Sequence, residues 1–177
     1  MSSSDRSAQQ LDEPAERLIR ILAVQIDRHR ELLSCIGRKR QAIRVAAIDA
    51  MTATCQEEHV IVQQIGDLEK RRLEVIGRVT ELVAPDAEKP LTLAEIARAA
   101  GQPHQRELEA LAERLREAIG TVRRESSVVR AAAEALSRHM SGIKQTVNSA
   151  LSRVGLYESR GRIAVGAQTA LCVDMTS

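Results

Sequence analysis

The last third of the chain carries one long stripe of apolar residues at intervals of three or four. Residues at these intervals lie on one side of an α-helix, so the stripe predicts a single amphipathic helix over 104–154. At 1.5 Å per residue such a helix is about 75 Å long, and other long helices, a second copy or a partner must cover its apolar side. The stripe consists of Leu108, Ala112, Leu115, Ile119, Val122, Ser126, Val129, Ala133, Leu136, Met140, Ile143, Val147, Ala150 and Val154.

The same spacing occurs twice in the first half of the chain. Pro14 is tolerated in the first turn of a helix, and a first helix is predicted over 14–47. After a polar break around Asp49 the stripe resumes and predicts a second helix over 50–84. Either the chain reverses at the break or one long helix bends there. We favour an antiparallel hairpin, because two amphipathic segments of similar length can then bury each other's stripes.

Two prolines between 84 and 90 interrupt the helical pattern and mark a linker. Thr92 follows, with Glu95 three residues later, which is the spacing of a capping box. A short helix is therefore predicted over 92–100.

Composition supports an all-α fold. Phe and Trp are absent, Tyr157 is the only aromatic residue, and the chain is rich in Ala, Leu, Glu, Gln and Arg. The predicted fold is an elongated antiparallel helical hairpin or bundle of three long helices plus one short helix. It occupies 14–154 as one helical domain, between a flexible N-terminus, 1–13, and a flexible C-terminal tail, 155–177.

Charge and cysteine content narrow the class of protein. The net charge is +2 and positive residues are interspersed with negative ones, so nothing marks a nucleic-acid surface. No apolar run is long enough for a signal peptide or a membrane span. Cys35, Cys55 and Cys172 are odd in number and widely spaced, as expected of unpaired thiols in a reducing compartment. We expect a cytoplasmic protein with no membrane insertion.

The motifs of common active sites are missing from the sequence. There is no Gly-rich phosphate loop, no G-x-S-x-G elbow and no H-E-x-x-H pair. Cys55 and His59 have the spacing of two metal ligands on one helix face, but no other Cys or His pair is placed to complete a site. We therefore expect no enzyme activity, no metal and no cofactor.

The segment Leu91–Gly101 is similar to the first helix and turn of a DNA-binding helix-turn-helix. Two apolar anchors of that motif are replaced by Gln102 and Glu107, and the following helix continues far beyond the length of a recognition helix. These departures from the motif make DNA binding the least favoured function for this chain.

The chain resembles the FlgN-type flagellar export chaperones. The resemblance rests on layout: two long helices around the break Ala46–Met51, a proline-containing linker, a Leu-Thr-Leu-Ala-Glu-Ile-Ala helix, one very long helix and a tail. The most specific element is Leu156–Arg162, which is similar to the Tyr-x-x-x-Gly-Arg element after the last helix of that family. The break lacks the glycine common in the family.

The resemblance implies a cytoplasmic chaperone that binds hook-filament junction (hook-associated) proteins and keeps them unassembled until export through the flagellar type III apparatus. It also implies contacts with export gate or ATPase components. A client helix would pack along the end of the last helix, and the tail would order over it. We expect the client-binding residues to be Ile143, Val147, Leu151, Val154, Leu156, Tyr157, Arg160, Arg162 and Ile163.

Two alternatives accompany this prediction. Ile143 and Val147 would instead belong to the intramolecular core if other helices cover the whole stripe. The stripe would also suit a self-associating coiled-coil scaffold, although its many Ala and Val residues encode register poorly. We expect a monomer or a weak homodimer.

Overall fold

The computed structural model describes the backbone of residues 3–155 and the side chains of 11–152. Over that range the chain forms four α-helices and no strand, which confirms the all-α prediction of three long helices and one short one. None of these helices is both long enough and apolar enough to span a membrane. The helices are α1 (Ser3–Arg44), α2 (Ile48–Val83), α3 (Leu93–Ala100) and α4 (His104–Gly155).

The chain divides into two compact units, Met1–Ala132 and Ala133–Ser177. The first contains α1, α2, α3 and the beginning of α4. The described part of the second is the end of α4, from Ala133 to Gly155.

Helix α1 begins earlier than the sequence predicts. The prediction placed its start at Pro14, but the helix starts at Ser3 and Pro14 lies inside it. Leu11 explains the difference, because it continues the apolar stripe of Ala15 and Leu18 by one more turn and is buried with them. This burial offsets part of the cost of an internal proline, which is about 3 kcal/mol.

Helices α1 and α2 form the predicted antiparallel hairpin. Near the turn, Cys35 Sγ donates a hydrogen bond of 3.3 Å to the carbonyl oxygen of Thr54. Farther from the turn, Gln25 Nε2 donates to Glu69 Oε2 at 3.1 Å. Earlier positions of α1 therefore meet later positions of α2, which excludes a single bent helix.

The reversal itself depends on Ala46, which has a left-handed φ of 51°. The amide of Ala46 donates to the carbonyl of Ile43 at 3.1 Å, and the amide of Ala47 donates to the carbonyl of Ala42 at 3.0 Å. These two bonds are those of a Schellman motif, which usually has glycine at the left-handed position. A non-glycine residue there costs roughly 1–2 kcal/mol.

The predicted capping box at the start of α3 is confirmed. The amide of Glu95 donates to Thr92 Oγ1 at 3.3 Å, and the amide of Thr92 donates to Glu95 Oε2 at 2.7 Å. Hydrogen bonds from the Thr92 side chain and backbone lower the pKa of Glu95. The linker before this helix is fixed to α2, because the amide of Leu91 donates to Thr80 Oγ1 at 2.9 Å.

A hydrophobic core cluster around α3 includes residues of all four helices. Burial of this kind contributes about 1.5–3 kcal/mol for each large apolar side chain. The cluster holds the first turns of α4 against α1, α2 and α3. Its buried members are Leu11, Ala15, Leu18, Ile21, Leu22, Ile26, Val75, Ile76, Val79, Ile96, Ala97, Ala100, Leu108, Leu111 and Leu115.

A polar network lies inside the hairpin. Glu69 accepts hydrogen bonds from the buried Gln25 and from Arg72, whose Nε is 2.9 Å away. Burial raises the pKa of Glu69, but these hydrogen bonds outweigh it and leave the pKa below its ordinary value. His29 Nδ1 donates to the carbonyl oxygen of Gln25 at 2.7 Å. The Oε1 atom of Gln25 is buried and finds no partner within the described structure.

Candidate binding surface on the last helix

The first half of the α4 stripe is covered. Leu108, Leu115 and Val129 are buried, and Leu108 has no exposed surface. An ion pair of 2.8 Å between Arg40 and Glu125 also joins α1 to this half of α4. This part of the stripe is part of the core of the first unit.

The second half of the stripe is exposed. From Ser137 to Ser152 every residue of α4 is exposed. The large apolar side chains in this segment follow one another at intervals of three, four and four residues, so they lie on one side of the helix. Their fractional exposure ranges from 46% to 64%, and they are Met140, Ile143, Val147 and Leu151. We call these four residues the exposed stripe.

The sequence around the exposed stripe carries charge of one sign only. Between Glu134 and Glu158 the sequence has no Asp or Glu, and its charged residues there are Arg138, Lys144 and Arg153. Lys144 lies four residues after Met140 and three before Val147, so helical spacing places it at the edge of the exposed stripe. Over the described range neither Arg138 nor Lys144 forms an ion pair.

The structure places three of the predicted site residues together on this surface. Ile143, Val147 and Leu151 are exposed, so the alternative that Ile143 and Val147 belong to the core is wrong. Met140 shares their face and was not included in the predicted site, although its place in the stripe was visible in the sequence. Val154 lies in α4, but its side chain is outside the described residues, as are Leu156, Tyr157, Arg160, Arg162 and Ile163.

The helix-turn-helix similarity leads to a different surface, formed by α3 and the first turns of α4. Leu108 is buried in the core there, and the exposed carboxylates of Glu107 and Glu109 alternate with the exposed basic residues Arg106 and Arg114. Carboxylates on a recognition helix repel the phosphates of DNA. This surface therefore disfavours DNA binding.

The His, Cys, Asp and Glu side chains of the described residues are spread over the helices and the linker before α3. No group of three or more His, Cys, Asp or Glu residues among them is arranged to hold a metal ion. Burial raises the pKa of the Cys35 thiol, whose proton is directed at the carbonyl oxygen of Thr54. Cys55 is exposed.

The chain matches the model of a known protein family. A family model described as FlgN protein matches residues 14–164 of the chain. The matched range contains α2, α3, α4 and most of α1, and it includes the Tyr157 to Arg162 element that follows the last helix. No curated protein and no solved structure matches the chain.

Proposed function

Because the chain belongs to the FlgN family of flagellar chaperones, we propose that it is a cytoplasmic export chaperone for hook-associated proteins. In this role it binds these subunits, prevents their premature assembly and delivers them to the flagellar type III export apparatus. Contact with export gate or ATPase components is a further part of the proposal.

The observation that carries the proposal is the exposed stripe. A chaperone for assembly-competent helical termini needs an apolar helix face that its own fold leaves uncovered. The second half of α4 has such a face, with large side chains that are about half exposed. A client helix that covers them would gain roughly 1 kcal/mol from each of these side chains.

We assign client binding to the predicted residues at the end of α4 and after it, and we add Met140 to them. The apolar members supply buried area, Tyr157 a rigid anchor and the two Arg residues a polar rim. The full set is Met140, Ile143, Val147, Leu151, Val154, Leu156, Tyr157, Arg160, Arg162 and Ile163.

A matched pair of double variants tests this assignment. Val147→Asp with Leu151→Asp places two carboxylates on the exposed stripe and should weaken binding of a purified hook-associated protein by about 100-fold or more. The control, Gln145→Asp with Ser149→Asp, makes the same charge change at the same spacing on the other side of the helix. It should change the dissociation constant by less than about threefold.

Isothermal titration calorimetry measures both affinities, and circular dichroism verifies that helicity is retained. Unchanged affinity in the first variant would reject the surface, and equal losses in both would show a general effect of negative charge. Sedimentation of the free protein addresses the coiled-coil alternative. We expect a concentration-independent monomer, whereas a stable dimer that the first variant dissociates would favour a scaffold.

A further inference from the structure

The charges along α4 distinguish its two halves as clearly as exposure does. In the first half acidic and basic residues alternate and pair, as Arg116 does with Glu113 and Glu125 does with Arg40. In the second half carboxylates are absent from Ala135 to Tyr157, while basic residues continue. The covered half is therefore balanced in charge, and the exposed half is positive.

Helical spacing places a positive group, and no carboxylate, at the border of the exposed stripe. Lys144 is seven residues before Leu151 and borders one edge. His139 is four residues before Ile143 and lies at the other edge. Arg138 differs, because it is five residues before Ile143 and so lies on the far side of the helix. A helix seated on the stripe would have the border positions of one of its sides next to Lys144.

We propose that the exposed stripe selects an amphipathic helix whose apolar seam is bordered by Asp and Glu. This inference rests on the proposed chaperone function and adds the charge of the helix that it binds. Opposite charges at the border raise the association rate and reject partners whose border is positive. The apolar seam supplies affinity, and the border supplies selectivity.

The same pattern disfavours a second copy of this chain as the occupant. Two exposed stripes packed together would bring basic residues from both copies to the interface with no carboxylate from either. Coiled-coil pairs instead use opposite charges at these border positions.

A membrane surface fits the pattern less well than an acidic helix. Helices that lie on membranes carry many Lys and Arg residues on the polar face and often Trp or Phe on the apolar one. Here the polar face consists largely of Ser, Thr, Asn and Gln, and the exposed stripe has no aromatic residue.

Three synthetic helical peptides with one apolar seam test the inference on the full-length chain. Their border positions are all Glu, all Gln or all Lys, and fluorescence anisotropy measures their affinities. The Glu peptide should bind about tenfold more tightly than the Gln peptide, and the Lys peptide should bind most weakly. The differences should shrink between about 50 mM and about 500 mM NaCl, because salt screens charges at a solvent-exposed border.

A charge reversal locates the effect. Lys144→Glu should lower the affinity for the Glu peptide and raise the affinity for the Lys peptide, each by about threefold to tenfold. Arg138→Glu makes the same charge change on the far side of the helix and should leave the ratio of the two affinities within about twofold.

Equal affinity for the three peptides, or no binding of any of them, would overturn the charge rule. So would a Lys144→Glu variant with an unchanged order of preference. Displacement of the Glu peptide by anionic phospholipid vesicles would assign the surface to membranes. Release of the Glu peptide as the chain associates with itself at higher concentration would assign the surface to a second copy. Binding of the hook-associated protein, measured in parallel, decides the chaperone function separately.

Discussion

The two halves of α4 share one helix and one apolar repeat, yet their side chains have opposite environments. Leu108, Leu115 and Val129 are buried, while Ile143, Val147 and Leu151 are exposed. The repeat therefore determines which side of the helix is apolar but not what covers it. In the first half α1, α2 and α3 supply the cover, and in the second half the described chain supplies none.

The sharpest test of this contrast compares one leucine from each half. Leu108→Ala should lower the free energy of unfolding by about 3 kcal/mol, because it leaves a cavity in the cluster around α3. Leu151→Ala, at a position that is 64% exposed, should change it by less than about 0.5 kcal/mol. Urea denaturation followed by circular dichroism measures both. Similar losses would mean that the second half is covered in solution.

Two glycines give a second comparison. An alanine Cβ at Gly120 would meet only the end of the Arg124 side chain, at 3.4 Å, and at Gly142 it would meet nothing within 4 Å. Gly120→Ala should raise the free energy of global unfolding by up to about 1 kcal/mol through helix propensity. Gly142→Ala should leave global unfolding unchanged and slow amide exchange in the exposed half by up to about fivefold. A global gain from Gly142→Ala would contradict the independence of that half.

Acid should affect the two halves differently. The pKa of Glu69 is below its ordinary value of 4.5 in the folded protein, so its carboxylate stabilises the hairpin at neutral pH. That contribution is lost as the pH falls through the lowered pKa. The free energy of unfolding should therefore decline from about pH 5 to about pH 3, and Glu69→Gln should reduce the decline. Helicity of the exposed half, which has no carboxylate between Ala135 and Gly155, should not follow this titration. If the free energy of unfolding of Glu69→Gln declines with acid as steeply as that of the unchanged protein, Glu69 does not contribute to the decline.

The smallest expected effect concerns one charge in each half. Glu125→Gln removes the ion pair between Glu125, whose side chain is 37% exposed, and Arg40, whose side chain is 49% exposed. It should lower the free energy of unfolding by at most about 1 kcal/mol. Lys144→Gln breaks no ion pair in the described structure and should not change the free energy of unfolding. Thermal denaturation at low and high salt separates the two, because only the Glu125 effect should diminish with salt. A salt-dependent loss in Lys144→Gln would indicate an acidic contact of Lys144 within the folded chain.

Much of the fold follows from periodicity, and the exceptions have local causes. Proline at 14 suggested a helix start, but the buried Leu11 extends α1 past it. The turn at Ala46 was hard to place, because alanine rarely occupies the left-handed conformation that identifies such turns.

The polar network of the hairpin was only half visible in the sequence. Spacing alone puts His29 on the stripe of α1 and Arg72 on the stripe of α2. Their partners Gln25 and Glu69 were missed, because these two residues lie beside the stripes and only the packing of α1 on α2 brings them together.

The binding surface shows what one sequence can and cannot supply. Spacing alone identified Ile143 and Val147 as members of one face, but Leu108 and Leu115 satisfy the same rule. Only the positions of the other helices separate the residues that are covered from those left open. The charge difference between the halves was present in the sequence and becomes informative once exposure is known.

The continuity of α4 through residue 155 has a consequence for how the exposed half keeps its shape. An isolated peptide of this length is marginally helical in water, because forming the first turn is unfavourable. Here the packed turns that begin at His104 already provide a nucleus, and each later residue needs only to extend it. A segment with no packing of its own can thus be presented as a preformed helix, so a partner meets an ordered surface and loses less entropy on docking.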